Sequence, residues 1–139
     1  MKALYQKRFL FTSVFTFFLF FAGAQETPVF RLLSQKETGV RFSNDIDETE
    51  SLNVLVYDYL YNGGGVAVGD INNDGLPDLF FTANMQSAKL FLNLGNLKFK
   101  DITKSAGIEL HNKAGSWKNG VTMADINGDG LLDIYVCYS

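Results

Sequence analysis

The chain has 139 residues, of which 47% are hydrophobic and 19% are charged, and its net charge is −3 at pH 7. This length suits one modest domain and is too short for two. The acidic balance argues against binding to nucleic acid, or to an anionic membrane, through bulk charge. The single Cys excludes an internal disulfide and a Cys-cluster zinc site, and the single His excludes a His-pair metal site.

The first 24 residues have the three-part layout of a secretory signal peptide. Three basic residues among the first eight precede an apolar run over residues 9–22, and Ala22-Gly23-Ala24 then forms a small-x-small cleavage site. A retained membrane anchor is the alternative, but this run of about 14 residues is shorter than the roughly 20 that span a bilayer. The sequence therefore predicts a signal peptide at 1–24, cleavage before Gln25, no transmembrane span afterwards, and a secreted or cell-envelope protein.

Residues 25–62 form a mixed polar and apolar lead-in segment, in which 52–61 is compatible with either a strand or a short helix. From residue 63 onward, short β-type runs alternate with Gly, Asn and Asp turns. Gly63-Gly64-Gly65 lacks a following Gly-Lys-Ser/Thr and leads into a strand, which favours close backbone packing over a phosphate loop. The predicted strands lie near 65–69, 78–83, 89–94 and 97–102, with a tight turn at Gly95-Asn96 before the last.

The segment from Gly65 to Phe80 is echoed by the segment from Gly120 to Tyr135, at an offset of 55 residues. Repeats of this spacing, with four short strands per unit, are typical of propeller blades and other stacked β arrays. The sequence thus divides into a first repeat at 63–118 and a second, truncated repeat at 119–139. We predict an all-β fold, a β-propeller-type repeat fragment of about one and a half four-stranded blades.

Each repeat contains the pattern D-x-N-x-D-G-L-x-D between two predicted strands. Alternate residues of a tight loop can converge their oxygens on one point, and Gly at position 6 permits the sharp turn. Three carboxylates this close would repel one another unless a cation neutralised them, and a cage of hard protein oxygens favours Ca²⁺ over zinc, copper or magnesium. The predicted ligands, with Leu contributing its backbone carbonyl, are Asp70, Asn72, Asp74, Leu76 and Asp78 in the first loop and Asp125, Asn127, Asp129, Leu131 and Asp133 in the second.

Two alternatives to such a calcium loop are weaker. Asn-Asp-Gly and Asn-Gly-Asp-Gly are also ordinary turn formers, but a hairpin turn does not need acids at positions 1, 5 and 9, and does not need them twice. An EF-hand or dockerin-type loop requires an acid at position 12 and an adjoining helix, whereas position 12 here is Phe81 or Val136 and the loops are flanked by predicted strands. The two loops hold six of the 15 acidic residues, and without these six the chain after the predicted cleavage site would carry nine acidic and nine basic residues and be neutral.

The stretches GVAVGDINNDGLPDLFF and GVTMADINGDGLLDIYV resemble FG-GAP/VCBS repeats, the blades of integrin-α-type β-propellers. Residues 38–139, including TGVRFSND, KLFLN and FKDITKSAGI, are similar to the N-terminal part of exported bacterial FG-GAP proteins, which often carry a C-terminal ASPIC/UnbV region. The resemblance implies Ca²⁺ at the loop positions named above. It also implies a propeller of about seven blades, whereas this sequence contains fewer than two blades and no ASPIC/UnbV region. The family binds ligands on a surface between blades, and no residues of this sequence are assigned to that surface.

Three single residues invite functional interpretations that their surroundings do not support. His111 lies in a mostly polar insertion without a paired Cys or Asp motif, which favours a solvated loop residue. Trp117 is favoured as a packing residue over a sugar-stacking platform. Cys137 alternates with Val136 on a predicted strand, which predicts a buried thiol.

These features predict an exported calcium-binding repeat module in which Ca²⁺ rigidifies the hairpin loops, with adhesion or binding of an extracellular glycan or protein as its role. No enzyme activity and no catalytic residues are predicted, because nothing assembles a nucleophile, a base and an orienting acid. The alternative is part of a propeller-scaffold enzyme whose catalytic residues lie in missing blades. Since an incomplete propeller leaves unpaired strand edges and half-covered apolar faces, we expect missing blades or self-association to complete it.

Overall fold

A computed structural model describes residues 28–108 and 117–139. The chain divides into two compact units, Met1–Leu32 and Leu33–Ser139, and the described helix and strands lie in the second. The predicted signal peptide at 1–24 and His111 lie outside the described residues. Across the two described ranges, no helix has the length and apolar character needed to cross a membrane.

Among the described residues of the second unit, the regular secondary structure is β-strand apart from one short helix. Its described elements are α1 (Gln35–Thr38), β1 (Val66–Gly69), β2 (Asp78–Phe81), β3 (Lys89–Asn93), β4 (Phe99–Asp101), β5 (Lys118–Ala124) and β6 (Asp133–Tyr138). The first four strands form one antiparallel sheet in the order β1-β2-β3-β4, and β5 pairs with β6 in a separate antiparallel hairpin. This arrangement confirms the predicted all-β class and corresponds to one four-stranded blade followed by the first hairpin of another.

The two faces of the four-stranded sheet differ because side chains alternate along each strand. Ala67, Phe80 and Leu90 lie opposite one another in register on one face, and all three are buried. The β5–β6 hairpin packs against this cluster with four partly buried apolar side chains: Val121, Met123, Ile134 and Val136. The core therefore lies between the two sheets, and both repeats contribute to it.

The turn between β3 and β4 is longer than the sequence predicts. Gly95, Asn96 and Leu97 all have positive φ angles, of 81°, 51° and 57°. The backbone N–H of Lys98 donates to the Gly95 carbonyl at 3.0 Å and closes this turn. Because Leu97 has a left-handed backbone, β4 begins at Phe99 and not at the predicted residue 97. The strands β1, β2 and β3 lie inside their predicted ranges.

The lead-in segment contributes one short helix and several contacts with the first sheet. Helix α1 begins with a reciprocal capping box, and the undecided stretch 52–61 consists mainly of turns and bends. Phe42 stacks on Phe81 of β2 with the ring centroids 4.8 Å apart. Asn44 exchanges two hydrogen bonds with Asn84, at 2.6 and 2.8 Å. The lead-in therefore covers part of the sheet face opposite the core.

The predictions for Trp117, near the end of the first repeat, and for Cys137, in the second, have different outcomes. Trp117 is buried and packs edge-to-face on Tyr57 with the ring centroids 5.6 Å apart, which confirms its predicted packing role. Cys137 is exposed, so the prediction of a buried thiol is wrong. The reason is the alternation along β6: Val136 faces the core, and its neighbour faces the opposite side of the hairpin, away from the first sheet.

Gly64 and Gly65 lead into β1 at a point where other backbone segments pass too close for a side chain. A Cβ on Gly64 would lie 1.9 Å from the Thr82 carbonyl oxygen, and a Cβ on Gly65 would lie 2.7 Å from the Val121 backbone nitrogen. The first contact holds the start of β1 against the end of β2, and the second sets β1 beside β5. These distances confirm the close backbone packing that the sequence predicts here.

We expect Gly64→Ala to lower the free energy of unfolding by about 1–3 kcal/mol, because the added methyl group forces the backbone apart. Gly63→Ala is the matched control, since a Cβ on Gly63 meets no atom within 4 Å and its φ is not left-handed; its effect should stay within about 0.5 kcal/mol. Urea unfolding of the two variants and the parent chain gives the comparison. Equal midpoints for the two variants would contradict the packing described here.

Candidate functional site

The first repeated loop joins β1 to β2 and bonds its backbone N–H groups to its own side chains. The two carboxylate oxygens of Asp70 accept from the N–H groups of Asp74 and Gly75, at 3.1 and 2.7 Å. Asn72 Oδ1 accepts from the Asp74 N–H at 3.1 Å, and Asn72 Nδ2 donates to Asp74 Oδ2 at 2.9 Å. Asp74 Oδ1 accepts from the Leu76 N–H at 2.8 Å. Side chains therefore satisfy the N–H groups that the strand ladder cannot.

The second loop, between β5 and β6, repeats every one of these bonds. The carboxylate of Asp125 accepts from the N–H groups of Asp129 and Gly130, at 3.1 and 2.9 Å. Asn127 Oδ1 accepts from the Asp129 N–H at 2.9 Å, and Asn127 Nδ2 donates to Asp129 Oδ2 at 3.0 Å. Asp129 Oδ1 accepts from the Leu131 N–H at 2.8 Å. The sequence repeat is thus also a repeat of one hydrogen-bond network.

Both loops use left-handed backbone at the same two positions. Gly75 and Gly130 each have a φ of 85°, which confirms the sharp turn predicted at loop position 6. Position 4 is also left-handed, with a φ of 59° at Asn73 and 77° at Gly128. Sequence reasoning missed position 4, although Asn and Gly are the residues that adopt this conformation most readily.

The last acid ties each loop to its sheet, and here the loops differ. Asp78 is fully buried, with Oδ2 accepting from the Ile71 N–H at 3.0 Å and Oδ1 accepting from the Asn93 N–H of β3 at 2.7 Å. Asp133 is only partly buried, and its Oδ2 accepts from the Ile126 N–H at 3.1 Å. A buried carboxylate requires such donors, so Asp78, at the start of β2, joins the first loop to β3.

Asn93 supports the first loop and was not predicted to do so. Besides the bond to Asp78, its Nδ2 donates to the Pro77 carbonyl at 2.8 Å, and its Oδ1 accepts from the Gly95 N–H at 2.9 Å. It therefore connects the loop before β2 with the turn after β3. The available signal was a polar residue at the end of an otherwise apolar strand, in the stretch KLFLN.

The chemistry of both loops fits a hard cation, but their oxygens are bonded to N–H groups. Each loop supplies three carboxylates and one amide oxygen, which are the ligands that Ca²⁺ prefers. Within residues 28–108 and 117–139, no three Asp, Glu, His or Cys side chains form a group that could hold a metal ion. Leu76 and Leu131 contribute their N–H groups to the loop. A carboxylate or amide oxygen that accepts one N–H bond can still contact a cation through its remaining lone pair. The calcium site stays a prediction.

A groove of about 1010 Å³ lies beside β3 and β4. Lys89 and Asp101 form an ion pair there at 2.9 Å, and Thr103 donates to Asp101 Oδ1 through its N–H at 3.0 Å and its hydroxyl at 2.6 Å. Burial raises the pKa of Asp101, but the bonds from Thr103 and Lys89 outweigh it and hold this pKa below its ordinary value. Asp101 is therefore ionised at neutral pH and cannot act as a general acid there.

The repeated segment matches a known protein family. Residues 70–136, which include both loops, match the family model of the FG-GAP-like repeat. The match spans 67 of the 139 residues, so the chain is similar to this family over just under half of its length. The match confirms the resemblance seen in the sequence and agrees with the blade-like sheets that the two loops connect.

The chain is also similar to cartilage acidic protein 1 from three species. It is 40% identical to the Xenopus tropicalis protein over 75 residues, 39% identical to the Mus musculus protein over 72 residues, and 39% identical to the Homo sapiens protein over 75 residues. These matches cover 52–53% of this chain but 11% of each relative. The chain thus spans a small part of the length of the relatives it matches. No solved structure matches the chain significantly.

The difference between the two loops predicts that the same substitution lowers the free energy of unfolding by unequal amounts. Asp78→Asn places an amide nitrogen against a buried N–H donor and should lower the free energy of unfolding by about 2–3 kcal/mol. Asp133→Asn affects a partly exposed side chain with one such bond, and should cost less than about 1 kcal/mol. Urea unfolding in the presence of a chelator measures the loss of unfolding free energy in both variants without a contribution from bound cations. A greater loss for Asp133→Asn would refute the assignment of Asp78 as the principal loop anchor.

Proposed function

We propose that this chain is an exported, calcium-binding FG-GAP-like repeat module that binds an extracellular glycan or protein ligand, as in adhesion at the cell envelope. The observation that carries the proposal is one loop design used twice, with acids at positions 1, 5 and 9, an amide at position 3 and the same bonds to backbone N–H groups. Turn formation alone does not require this set of acids. A ligand common to both loops accounts for their recurrence.

Electrostatics supports Ca²⁺ as that ligand. Three carboxylates lie within nine residues of each loop, and bonds from N–H groups offset only part of their mutual repulsion. A divalent cation would offset the remainder and join the two ends of the loop. Because extracellular calcium modules bind at about 10⁻⁴–10⁻³ M, free calcium about tenfold above the dissociation constant would add about 1.4 kcal/mol per ion to the folded state. Calcium would thus rigidify the hairpins.

Two features support an extracellular setting. Residues 1–24 have the layout of a signal peptide, whose removal would leave the rest of the chain outside the cytoplasm. FG-GAP-like repeats are commonly extracellular, and the similar proteins carry the name cartilage acidic protein 1. Calcium sites of weak affinity suit such a compartment.

Ligand binding is proposed in preference to catalysis. The loop acids hold backbone N–H groups, and Asp101 is ionised and paired with Lys89. These are structural uses of acidic side chains. The acidic composition disfavours nucleic acid as the ligand, which leaves a glycan or protein as the proposed partner.

The calcium proposal is tested by a double variant of the full chain, Asp74→Asn with Asp129→Asn. We expect calorimetric titration of the parent chain to give two Ca²⁺ per chain, and a rise in its unfolding midpoint as Ca²⁺ is added. The double variant should lose both the heat and the stabilisation, since each loop then lacks one of its three carboxylates.

The matched control is Asp47→Asn with Asp58→Asn, which removes the same two charges from exposed positions outside the loops. It should bind Ca²⁺ as the parent chain does. If both double variants lose calcium binding equally, the loss results from the change in net charge and not from the removal of loop ligands. A parent chain that binds no Ca²⁺ would reject the proposal outright.

Export is tested by expressing the complete chain in a secreting bacterial host and determining the N-terminus of the extracytoplasmic product. We expect cleavage between Ala24 and Gln25, since small residues occupy the −1 and −3 positions. Replacing Ala24 with a bulky residue such as Tyr should block this cleavage and leave a longer product. A product that keeps its N-terminal residues in the parent form would instead support a retained anchor.

A further inference from the structure

The sequence contains three Asn-Gly pairs, and the structure gives each of them a different environment. Asn62-Gly63 lies exposed in the lead-in, Asn119-Gly120 lies within β5, and Asn127-Gly128 lies exposed in the second loop. When Gly follows Asn, the next backbone nitrogen can reach the side-chain amide carbon with little hindrance, since Gly has no Cβ and adopts many backbone conformations. The three pairs therefore share one possible reaction but differ in how the fold restrains it.

That reaction is deamidation of the Asn side chain. In the second loop, the Gly128 backbone nitrogen would attack Asn127 Cγ, so that a new C–N bond forms and the Cγ–Nδ2 bond breaks. The departing nitrogen leaves as ammonia and takes the Gly128 N–H proton with it. Water then opens the cyclic imide at one of its carbonyls and leaves either Asp or isoaspartate at this position, so water is the only co-reactant.

The closed second loop holds each group that the reaction uses. The Gly128 N–H donates to Asp125 Oδ1 at 2.7 Å. Asn127 Oδ1 accepts from the Asp129 N–H at 2.9 Å, and Asn127 Nδ2 donates to Asp129 Oδ2 at 3.0 Å. Ring closure requires the amide to turn and bring Cγ onto the Gly128 nitrogen, which breaks these bonds. The closed loop therefore opposes deamidation, although both residues of the pair are exposed to water.

The first loop makes the same amide bonds without the reactive pair. Asn72 takes the place of Asn127 there, but the next residue is Asn73, whose side chain hinders approach to its backbone nitrogen. Position 4 is left-handed in both loops, with a φ of 59° at Asn73 and 77° at Gly128, so the turn accepts either residue. The Asn-Gly pair of the second loop is thus not a demand of the turn, and it confines the reaction to one repeat.

We propose that Asn127 is a site of spontaneous deamidation, which the closed second loop protects and which reacts when this loop opens. Either product places a carboxylate beside Asp129, so the bond from Nδ2 is lost and two like charges face each other. Isoaspartate also adds one carbon to the backbone of the turn. Both changes disfavour reclosure, so opening of the loop leaves a permanent modification. The proposal goes beyond the ligand-binding function and requires no cation.

The test follows deamidation at each Asn-Gly pair of the full chain by peptide mapping, with a chelator present throughout. In the folded chain, Asn127 should react at least about tenfold more slowly than Asn62, because its reaction must await local opening of the loop. In concentrated urea the two rates should become similar, since neither pair is then restrained. Similar rates in the folded chain, or an Asn127 that stays slow in urea, would overturn the proposal. Because no calcium is present, neither result depends on the calcium proposal.

Three variants test the loop bonds and the attacking nitrogen. Asp125→Ala removes the acceptor of the Gly128 N–H and should raise the folded-chain rate at Asn127 at least about tenfold. Asp70→Ala removes the equivalent carboxylate from the first loop and should leave that rate unchanged; equal acceleration by both variants would overturn protection by the second loop. Gly128→Asn, which copies the first loop, should slow the reaction at least about tenfold even in urea. An unchanged rate in urea would exclude attack by this backbone nitrogen.

Discussion

The structure depends on how two tight loops satisfy their backbone N–H groups. Each loop turns these groups inward at two left-handed residues, where the strand ladder offers no acceptor. Asp70 and Asp74 accept them in the first repeat, and Asp125 and Asp129 do so in the second. An apolar residue at any of these positions would leave a donor unpaired. The backbone therefore requires oxygen acceptors at these positions but not their negative charge, since the amide oxygens of Asn72 and Asn127 accept in the same way.

Asp78 extends this constraint from the loop to the sheet. Its buried carboxylate accepts from the N–H of Ile71 in the loop and from the N–H of Asn93 in β3, so loop closure and strand alignment depend on one side chain. Because strand residues alternate between faces, fixing Asp78 also fixes Phe80 on the core face, opposite Ala67. The same carboxylate brings negative charge to the end of the sheet, which connects the folding of the hairpin with its proposed affinity for a cation.

Local sequence properties are enough to predict the loops and most strands. The side-chain oxygens named from the sequence at loop positions 1, 3, 5 and 9 are the ones that accept from backbone N–H groups in the structure, since their spacing within nine residues is a local feature. Leu97 shows one limit: it alternates with Phe99 as in a strand, but the preceding turn carries left-handed backbone one residue further. Asn93 and Cys137 show another, because their surroundings depend on strands that are distant in the sequence, and no local pattern specifies which face a neighbouring sheet covers.

The contact between the repeats depends on positions without side chains. Gly65 lets β1 approach the Val121 backbone, and a Cβ on Gly69 would lie 2.7 Å from Leu132 Cδ1 and 2.9 Å from Met123 Sδ. A side chain at Gly65 would push the β5–β6 hairpin away from the core face, whereas one at Gly69 would displace the ends of the Leu132 and Met123 side chains. Neither repeat buries its apolar face alone, so the stability of each depends on its neighbour. A loop that holds one hairpin rigid therefore also stabilises the sheet that packs against it.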